Sequence, residues 1–462
     1  MERRQARTVV FYVALLGAAV AAYLAVRARG AGLEEGLRLP VEAAPPAPAP
    51  DLARVMLALA VVMLAAQVLG RLGRRWLGQP PVIGEVVAGI VLGPSLLGVL
   101  APGAHGALFP PSVVPSLGLI SKIGVVLFMF VVGLELDVRL LRRNTQTVVA
   151  ISHASIVVPF LLGSVLALWF HPLYAPRGVG FTPFSLFLGI SLSVTAFPVL
   201  ARILRDREMH RTPLGMLALA CAAVGDATAW ALLALVVGMA TADVGGALWT
   251  LPLAALYLAV MFFAVRPVMR RLAARVERGR EPLDPGTLAL VLVGLLLSAS
   301  ATDRIGIHPL FGAFLFGALT PHDGRLADGL RVRIEDMVVV LLLPAFFAFT
   351  GLRTEIGLLQ DARDWLLCGV VIAAATAGKW GGSFLAARLR GMGARDAAAL
   401  GVLMNTRGLM ELIVLNIGLD LGVLSPTLFT MLVLMALATT FLTSPVFGAL
   451  TRSAPWSRPA EG

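Results

Sequence analysis

Asp226 stands alone in the apolar stretch LGMLALACAAVGDATAWALLALVVGM (214–239). A carboxylate at that depth costs about 2.5–3.5 kcal/mol on insertion scales, so such a residue faces a partner or a water-filled cavity. The small residues around it, Ala222, Ala223, Gly225, Ala227 and Ala229, let neighbouring backbones come close. A carboxylate so placed can hold a proton or a cation, but not both at once. That competition is the least chemistry an exchanger needs, with Asp226 as its site. The alternative is a structural ion-pair partner.

Lys379, one of two lysines in the chain, lies inside the apolar run 365–387 beside Gly378. It is about 13 Å of helix from Arg388, too far to snorkel easily to that end of its helix. It is expected to compensate the charge of Asp226, or to carry a proton itself. Pro198, in SVTAFPVL (193–200), cannot donate a backbone hydrogen bond, so the Val194 carbonyl is expected to be free, with the Thr195 hydroxyl beside it. Unwound backbone at membrane depth is tolerated where it lines a cavity or is buried in protein. A second interruption is expected at Asn405, Thr406, Arg407 and Gly408 in MNTRGLMEL (404–412). Arg407 and Glu411, four residues apart, should meet on one helix face as a structural ion pair. Glu85 is expected to pair with an unnamed basic residue across the bundle. Glu135 and Asp137 read as a solvated mouth, and Lys122 has no assignable partner. His153 and His308 read as structural.

Composition sets these residues in a membrane. Of 462 residues 58% are hydrophobic and only 14% charged, against roughly 25% charged in soluble domains. Hydropathy predicts an all-α polytopic membrane protein of about fourteen spans, one extra N-terminal helix near 8–26 and about thirteen core transmembrane helices. The net charge of +11 is spread over short arginine clusters between spans, not gathered into a domain, so no nucleic-acid partner is expected. Placing those clusters inside puts both termini in the cytoplasm. Cys221 and Cys368 both lie in apolar stretches and read as small buried hydrophobes. No nucleotide, metalloprotease or nucleophile-elbow fingerprint occurs in a suitable context. No cofactor is expected, no enzymatic activity, and no metal beyond a transported monovalent cation.

Beyond a Pro/Ala-rich external linker (39–50) the chain repeats itself. LFMFVVGLELDVRLL (127–141) resembles AFFAFTGLRTEIGLL (345–359), matching Gly133 to Gly351. Gly-rich segments precede both, GEVVAGIVLGP (84–94) and GIHPLFGAFLFGALTP (306–321), and an interrupted segment follows each. An offset of seven spans inverts one half against the other, as in many secondary transporters. The expected organisation is an anchor helix and linker (1–50), a first inverted repeat (51–239), a linker helix and basic loop (240–285), and a second inverted repeat with a short cytoplasmic tail (286–462).

PPVIGEVVAGIVLGPSLLG (80–98), SVTAFPVLARIL (193–204), IGIHPLFGAFLFG (305–317), LLPAFFAFTGLRTEIGLL (342–359) and the run 378–429 resemble the monovalent cation:proton antiporter-2 family. That family includes bacterial sodium or potassium exchangers and plant cation/proton exchangers. The resemblance covers about residues 51–450. It implies two discontinuous helices crossing at mid-membrane, a core domain beside a dimerisation domain, elevator-like movement and a homodimer in the plasma membrane. It also implies that Asp226 binds cation or proton, that Lys379 compensates charge, and that Thr195 lies on the first crossing helix. The residue before the aspartate is usually Asp or Asn in the family and is Gly225 here. One carboxylate then implies electroneutral exchange of Na⁺ or K⁺ for H⁺, since moving net charge couples to voltage at about 2.3 kcal/mol per 100 mV. The dozen residues after Leu450 imply no cytoplasmic sensing domain. A non-transporting sensor on this scaffold, or efflux of an organic cation, are the alternatives.

Overall fold

The structure, a computed structural model, describes residues 17–30, 51–135, 145–210, 212–241, 247–278, 283–306, 308–322 and 324–451. The expected linker, Asp137, the 139–143 arginine cluster and the C-terminal tail lie outside the described residues. Among the described residues, eleven helices are long and apolar enough to cross a membrane, and one bent pair, Ala394–Met404 with Leu409–Asp420, makes a twelfth. The expected span at 306–320 is a shorter apolar helix, Pro309–Leu319. The expected first span is described only over 17–30, as helix α1.

Local signals start and stop these helices. The carboxylate of Asp51 accepts from the Ala53 amide at 3.1 Å and caps α2 (Leu52–Leu77), which ends on Gly78 at φ 60°. α10 (Pro285–Ile305) begins where the Asp284 carboxylate accepts from the Thr287 amide at 2.8 Å and from its hydroxyl at 2.9 Å. Proline follows at the first helical position, where its missing N–H is no loss.

The helices form two bundles. One holds α5 (Thr145–Tyr174), the broken pair α6 (Phe181–Ser193) and α7 (Phe197–Asp206), and α8 (Pro213–Thr241). It continues with α13 (Ala362–Leu389), the second broken pair α14 (Ala394–Met404) and α15 (Leu409–Asp420), and α16 (Pro426–Thr451). The other bundle holds α2, α3 (Pro81–Leu92), α4 (Val114–Glu135), α10 and α11 (Pro309–Leu319). It also includes two helices with internal π turns: α9, Ala247–Val260 through Met261–Val265 to Arg266–Arg278, and α12, Arg325–Met337 through Val338–Leu342 to Leu343–Leu352. Packing is dense within each bundle and sparse between them.

Glycine spacing in the repeated segments has a structural counterpart. A Cβ on Gly89 of α3 would stand 2.2 Å from the Ala348 carbonyl oxygen of α12, and one on Gly351 would stand 2.4 Å from that of Val86. Likewise Gly133 of α4 would meet the Phe314 carbonyl at 2.2 Å, and Gly317 of α11 that of Phe130 at 2.2 Å. Each half thus lays its Gly-rich helix, backbone on backbone, against the other half's FVVGLEL-like or FAFTGL-like helix. Only a missing side chain permits that approach.

The crossed broken helices as candidate ion site

α6 stops at Ser193 and α7 starts at Phe197; between them Val194 (φ −70°, ψ 140°) and Ala196 (φ −95°, ψ 94°) are extended. Pro198 marks the interruption expected from the sequence, a break between two half-helices. It sits in the first turn of α7, so it begins the second half-helix. The break is therefore a stretch of open backbone, with Val194 1% exposed.

α14 ends at Met404 and α15 begins after Gly408, and the two breaks are tied to each other. The Ala196 amide donates to the Thr406 carbonyl at 3.0 Å, and the Thr195 hydroxyl to the Met404 carbonyl at 3.2 Å. A Cβ on Gly408 would lie 2.7 Å from Val199 Cγ2, so the crossing admits no larger residue without a shift. Asn405 Oδ1 and Thr406 Oγ1 are buried and have no hydrogen-bond partner among the described residues.

Arg407 fastens the crossing. Its Nη1 pairs with Glu411 Oε2 at 2.7 Å, the ion pair expected from their spacing, and both side chains are fully buried. The guanidinium reaches further than that spacing implies. Nη1 donates to the Ser191 carbonyl at 2.9 Å and Nη2 to that of Leu192 at 2.7 Å. These are last-turn carbonyls of α6, which have no partner within their own helix. A cation at that end also offsets the negative pole of the half-helix. The Arg407 backbone is held by Thr440, whose Oγ1 accepts from its amide and donates to its carbonyl, each at 2.9 Å.

Asp226 is 3% exposed, and neither carboxylate oxygen has a hydrogen-bond partner among the described residues. The Phe197 amide, at the positive end of α7, is directed at the carboxylate as a donor without reaching full hydrogen-bond geometry, and the Lys379 ammonium acts on it through its charge. Lys379, fully buried, donates to Thr195 Oγ1. Thr195 thus holds the ammonium, and Lys379 acts on Asp226 through its charge and not through a bond. Thr195 accepts from Lys379 and donates to Met404, so one hydroxyl joins α13 to both broken helices. A buried carboxylate that is near cations and yet not bonded to one can accept a proton or a desolvated cation without first breaking a pair.

A cavity between the two bundles leads toward this point. Its walls include Glu85, Glu135, Arg202 and Arg205, and it reaches Phe197 and Pro198. Glu85, expected in an ion pair across the bundle, faces Arg202 across this cavity. Glu135 lies 3.7 Å from Arg331, 33% exposed, consistent with a mouth position. Toward the opposite ends of α12 and α15 a polar network joins the two bundles. Lys122 pairs with Asp420 at 2.8 Å, which supplies the partner that the sequence could not assign. Arg353 pairs with Asp420 at 2.8 Å and donates to Asn416 Oδ1 at 3.0 Å, while Asn416 Nδ2 donates to Thr350 Oγ1 at 2.8 Å. Sequence reasoning missed Arg353, Asn416 and Asp420. The only available signal was the four-residue spacing of Asn416 and Asp420 on one helix face.

His153 Nδ1 lies 3.0 Å from the Val149 carbonyl, and His308 Nδ1 accepts from the Leu310 amide at 3.4 Å, both local contacts of structural kind. Cys221 and Cys368 are free and buried.

Two inverted, crossed broken helices beside a buried acid define an all-α membrane protein with an ion-exchanger fold. Residues 57–452 match the family described as sodium/hydrogen exchanger, transmembrane, and the chain belongs to that family. It is 44% identical over 388 residues to the Na(+)/H(+) antiporter NhaS4 of Synechocystis, covering 84% of this chain and 94% of that protein. It is 42% identical over 389 residues to Cation/H(+) antiporter 20 of Arabidopsis thaliana, covering 82% of this chain and 46% of that protein. To K(+)/H(+) antiporter 1 of Saccharomyces cerevisiae it is 35% identical, over 80% of this chain and 43% of that protein. The chain thus spans about half the length of these plant and yeast relatives. The fold is similar to that of the sodium proton antiporter MjNhaP1 from Methanocaldococcus jannaschii. The TM-score is 0.60 at 15% identity, over 87% of this chain and 97% of that one.

Proposed function

We propose that this protein exchanges a monovalent cation, Na⁺ or K⁺, for H⁺ through Asp226 by alternating access, without net charge movement. The observation that carries the reading is the state of Asp226: 3% exposed, paired with no cation among the described residues, and beside two broken helices. Desolvating a carboxylate without a partner is costly, so it persists where a ligand completes it. Proton and cation are alternative ligands of the same two oxygens. Thr195 and the open backbone at Val194 and Asn405–Thr406 offer further oxygens, and Lys379 balances the charge of Asp226. Gly225 contributes no second carboxylate, which supports one proton per cation.

Alternating access is supported by a cavity at one end of the inter-bundle seam and a polar closure at the other. Rocking one bundle against the other would exchange the two. The interlocked glycine contacts support a division into inverted repeats at 51–239 and 286–462. Arginine clusters between spans support an orientation with both termini in the cytoplasm, and the family resemblance supports a plasma-membrane location. Family membership supports a homodimer and a role in pH homeostasis.

The test is purified protein in vesicles with an internal pH dye. External Na⁺ or K⁺ is expected to drive proton release, and Asp226→Asn to abolish it. No response to Na⁺, K⁺ or Li⁺ in the unaltered protein would overturn the reading. Under a clamped potential the rate is expected to be insensitive to voltage; a strong dependence would remove the electroneutral stoichiometry.

A further inference from the structure

Several buried serine hydroxyls in this protein bond back to their own helix. Ser121 donates to Leu117, Ser191 to Phe187 and Ser193 to Gly189, each at 2.7 Å and each to the carbonyl four residues earlier. Ser152 of α5 does not, and in this it is like Ser164 and Ser383. It is fully buried, and its Oγ has no hydrogen-bond partner among the described residues. The carbonyl that it would use, that of Val148, is contacted instead by Cys221 Sγ of α8 at 3.7 Å. That contact sets the register of the two helices, since Ser152 and Gly225 each lie one turn further along. A Cβ built on Gly225 would find only the Ser152 hydroxyl within 4 Å, at 3.4 Å. The helix face next to Asp226 therefore has a notch, open where a side chain would stand and floored by an unsatisfied hydroxyl. The next residue, Asp226, carries two more unsatisfied oxygens.

A buried hydroxyl without a partner, facing a position where an added carbon meets nothing else within 4 Å and next in sequence to a buried carboxylate, is a setting for a bound water. We propose that the notch at Gly225 holds one water, oriented by Ser152 Oγ, and that this water is a ligand of the cation at Asp226. Ser152 is then a positioning residue for the cation shell, and Gly225 is the position that makes room. The inference rests on exchange at Asp226. A cation entering the site keeps one water in place of a second protein carboxylate, so no extra negative charge needs a second proton.

The test pairs two variants in the same vesicle assay, with Na⁺ and K⁺ as probes. Ser152→Ala removes the hydroxyl, and Gly225→Ala fills the notch with a methyl group at an ordinary contact distance. Each is expected to raise the apparent KM for the driving cation by about three- to tenfold, as for loss of one ordered water ligand. The maximal rate and the thermal midpoint should be unchanged. The double variant should be no worse than the more affected single one, because both remove the same water, while Ser152→Thr should retain unaltered KM. Unchanged KM in either single variant, or additive effects in the double, would overturn the proposal. Exchange by the unaltered protein that is lost in Asp226→Asn, with normal KM in both notch variants, would leave the Asp226 reading intact and remove only the water. An unaltered protein that moves neither ion would remove both.

Discussion

Lys379 donates to Thr195, 184 residues away in the chain, and to neither carboxylate oxygen of Asp226. The ammonium is thereby held near the carboxylate without closing on it, so the acid stays available. This arrangement makes Thr195 the residue on which the resting geometry turns. Thr195→Val removes the Lys379 acceptor and the Met404 donor while keeping the side-chain shape. It is expected to destabilise the protein by about 1.5–3 kcal/mol, the usual value for a hydrogen bond to a charged group. Transport should fall with it, and Thr195→Ser should restore both. Thermal unfolding in detergent, alongside vesicle exchange, reads the two effects.

Arg407 is the more severe case. Arg407→Ala leaves Glu411 charged and buried, and also leaves the Ser191 and Leu192 carbonyls unmet. Breaking a buried pair by removing one partner costs about 3–5 kcal/mol. Loss of monodisperse protein on size exclusion after mild heating is expected. Arg407→Met combined with Glu411→Leu should recover part of the stability, because no lone charge remains. A double variant no more stable than Arg407→Ala would show that the α6 carbonyls, and not the stranded acid, dominate.

Asp420 receives both Lys122 and Arg353, which come from the bundle opposite its own. Asp420→Asn weakens that bridge, and each partly exposed pair contributes only about 1 kcal/mol or less. Folding should therefore survive, while the balance between the two ends of the inter-bundle seam shifts. A cysteine placed at Thr350, fully buried beneath this network, should react faster with a membrane-impermeant maleimide in the Asp420→Asn background. Equal labelling rates in both backgrounds would show that the network does not close this end.

The glycine pairs predict a steric penalty that depends on position. Gly317→Ala places a methyl 2.2 Å from the Phe130 carbonyl, whereas Gly369→Ala meets nothing within 4 Å. The first should cost about 1–3 kcal/mol as overpacking, and the second should be neutral or slightly stabilising within its helix. Thermal midpoints of the two variants provide the comparison.

Asp284 lies outside the spans, and its bonds from Thr287 hold its carboxyl below the usual range. A carboxyl lowered on folding adds stability that is present above its unfolded value near 4 and fades as pH falls through its folded value. Asp284→Ala should therefore lower the thermal midpoint at pH 7 and leave it closer to that of the unaltered protein at about pH 3. An equal loss at both pH values would mean that the cap acts by shape and not by charge.

The chain's one-dimensional pattern determined where helices cross and which charges lie inside them, because apolar length and an isolated acid are local properties. Asp226 and the Arg407–Glu411 pair were legible for that reason, the latter because four residues on one helix fix a shared face. The repeated glycines also announced a shared packing role, though not that each half's glycine helix would lie on the other half. Tertiary structure alone decided the rest. Whether Pro198 kinks a helix or starts one depends on how the Thr406 carbonyl meets the Ala196 amide across the crossing. That Lys379 rests on Thr195, that Lys122 and Arg353 converge on Asp420, and that Ser152 faces the gap at Gly225 are pairings between distant segments. Hydropathy is blind to them, since it reports how deeply a residue sits and not which neighbour it meets at that depth.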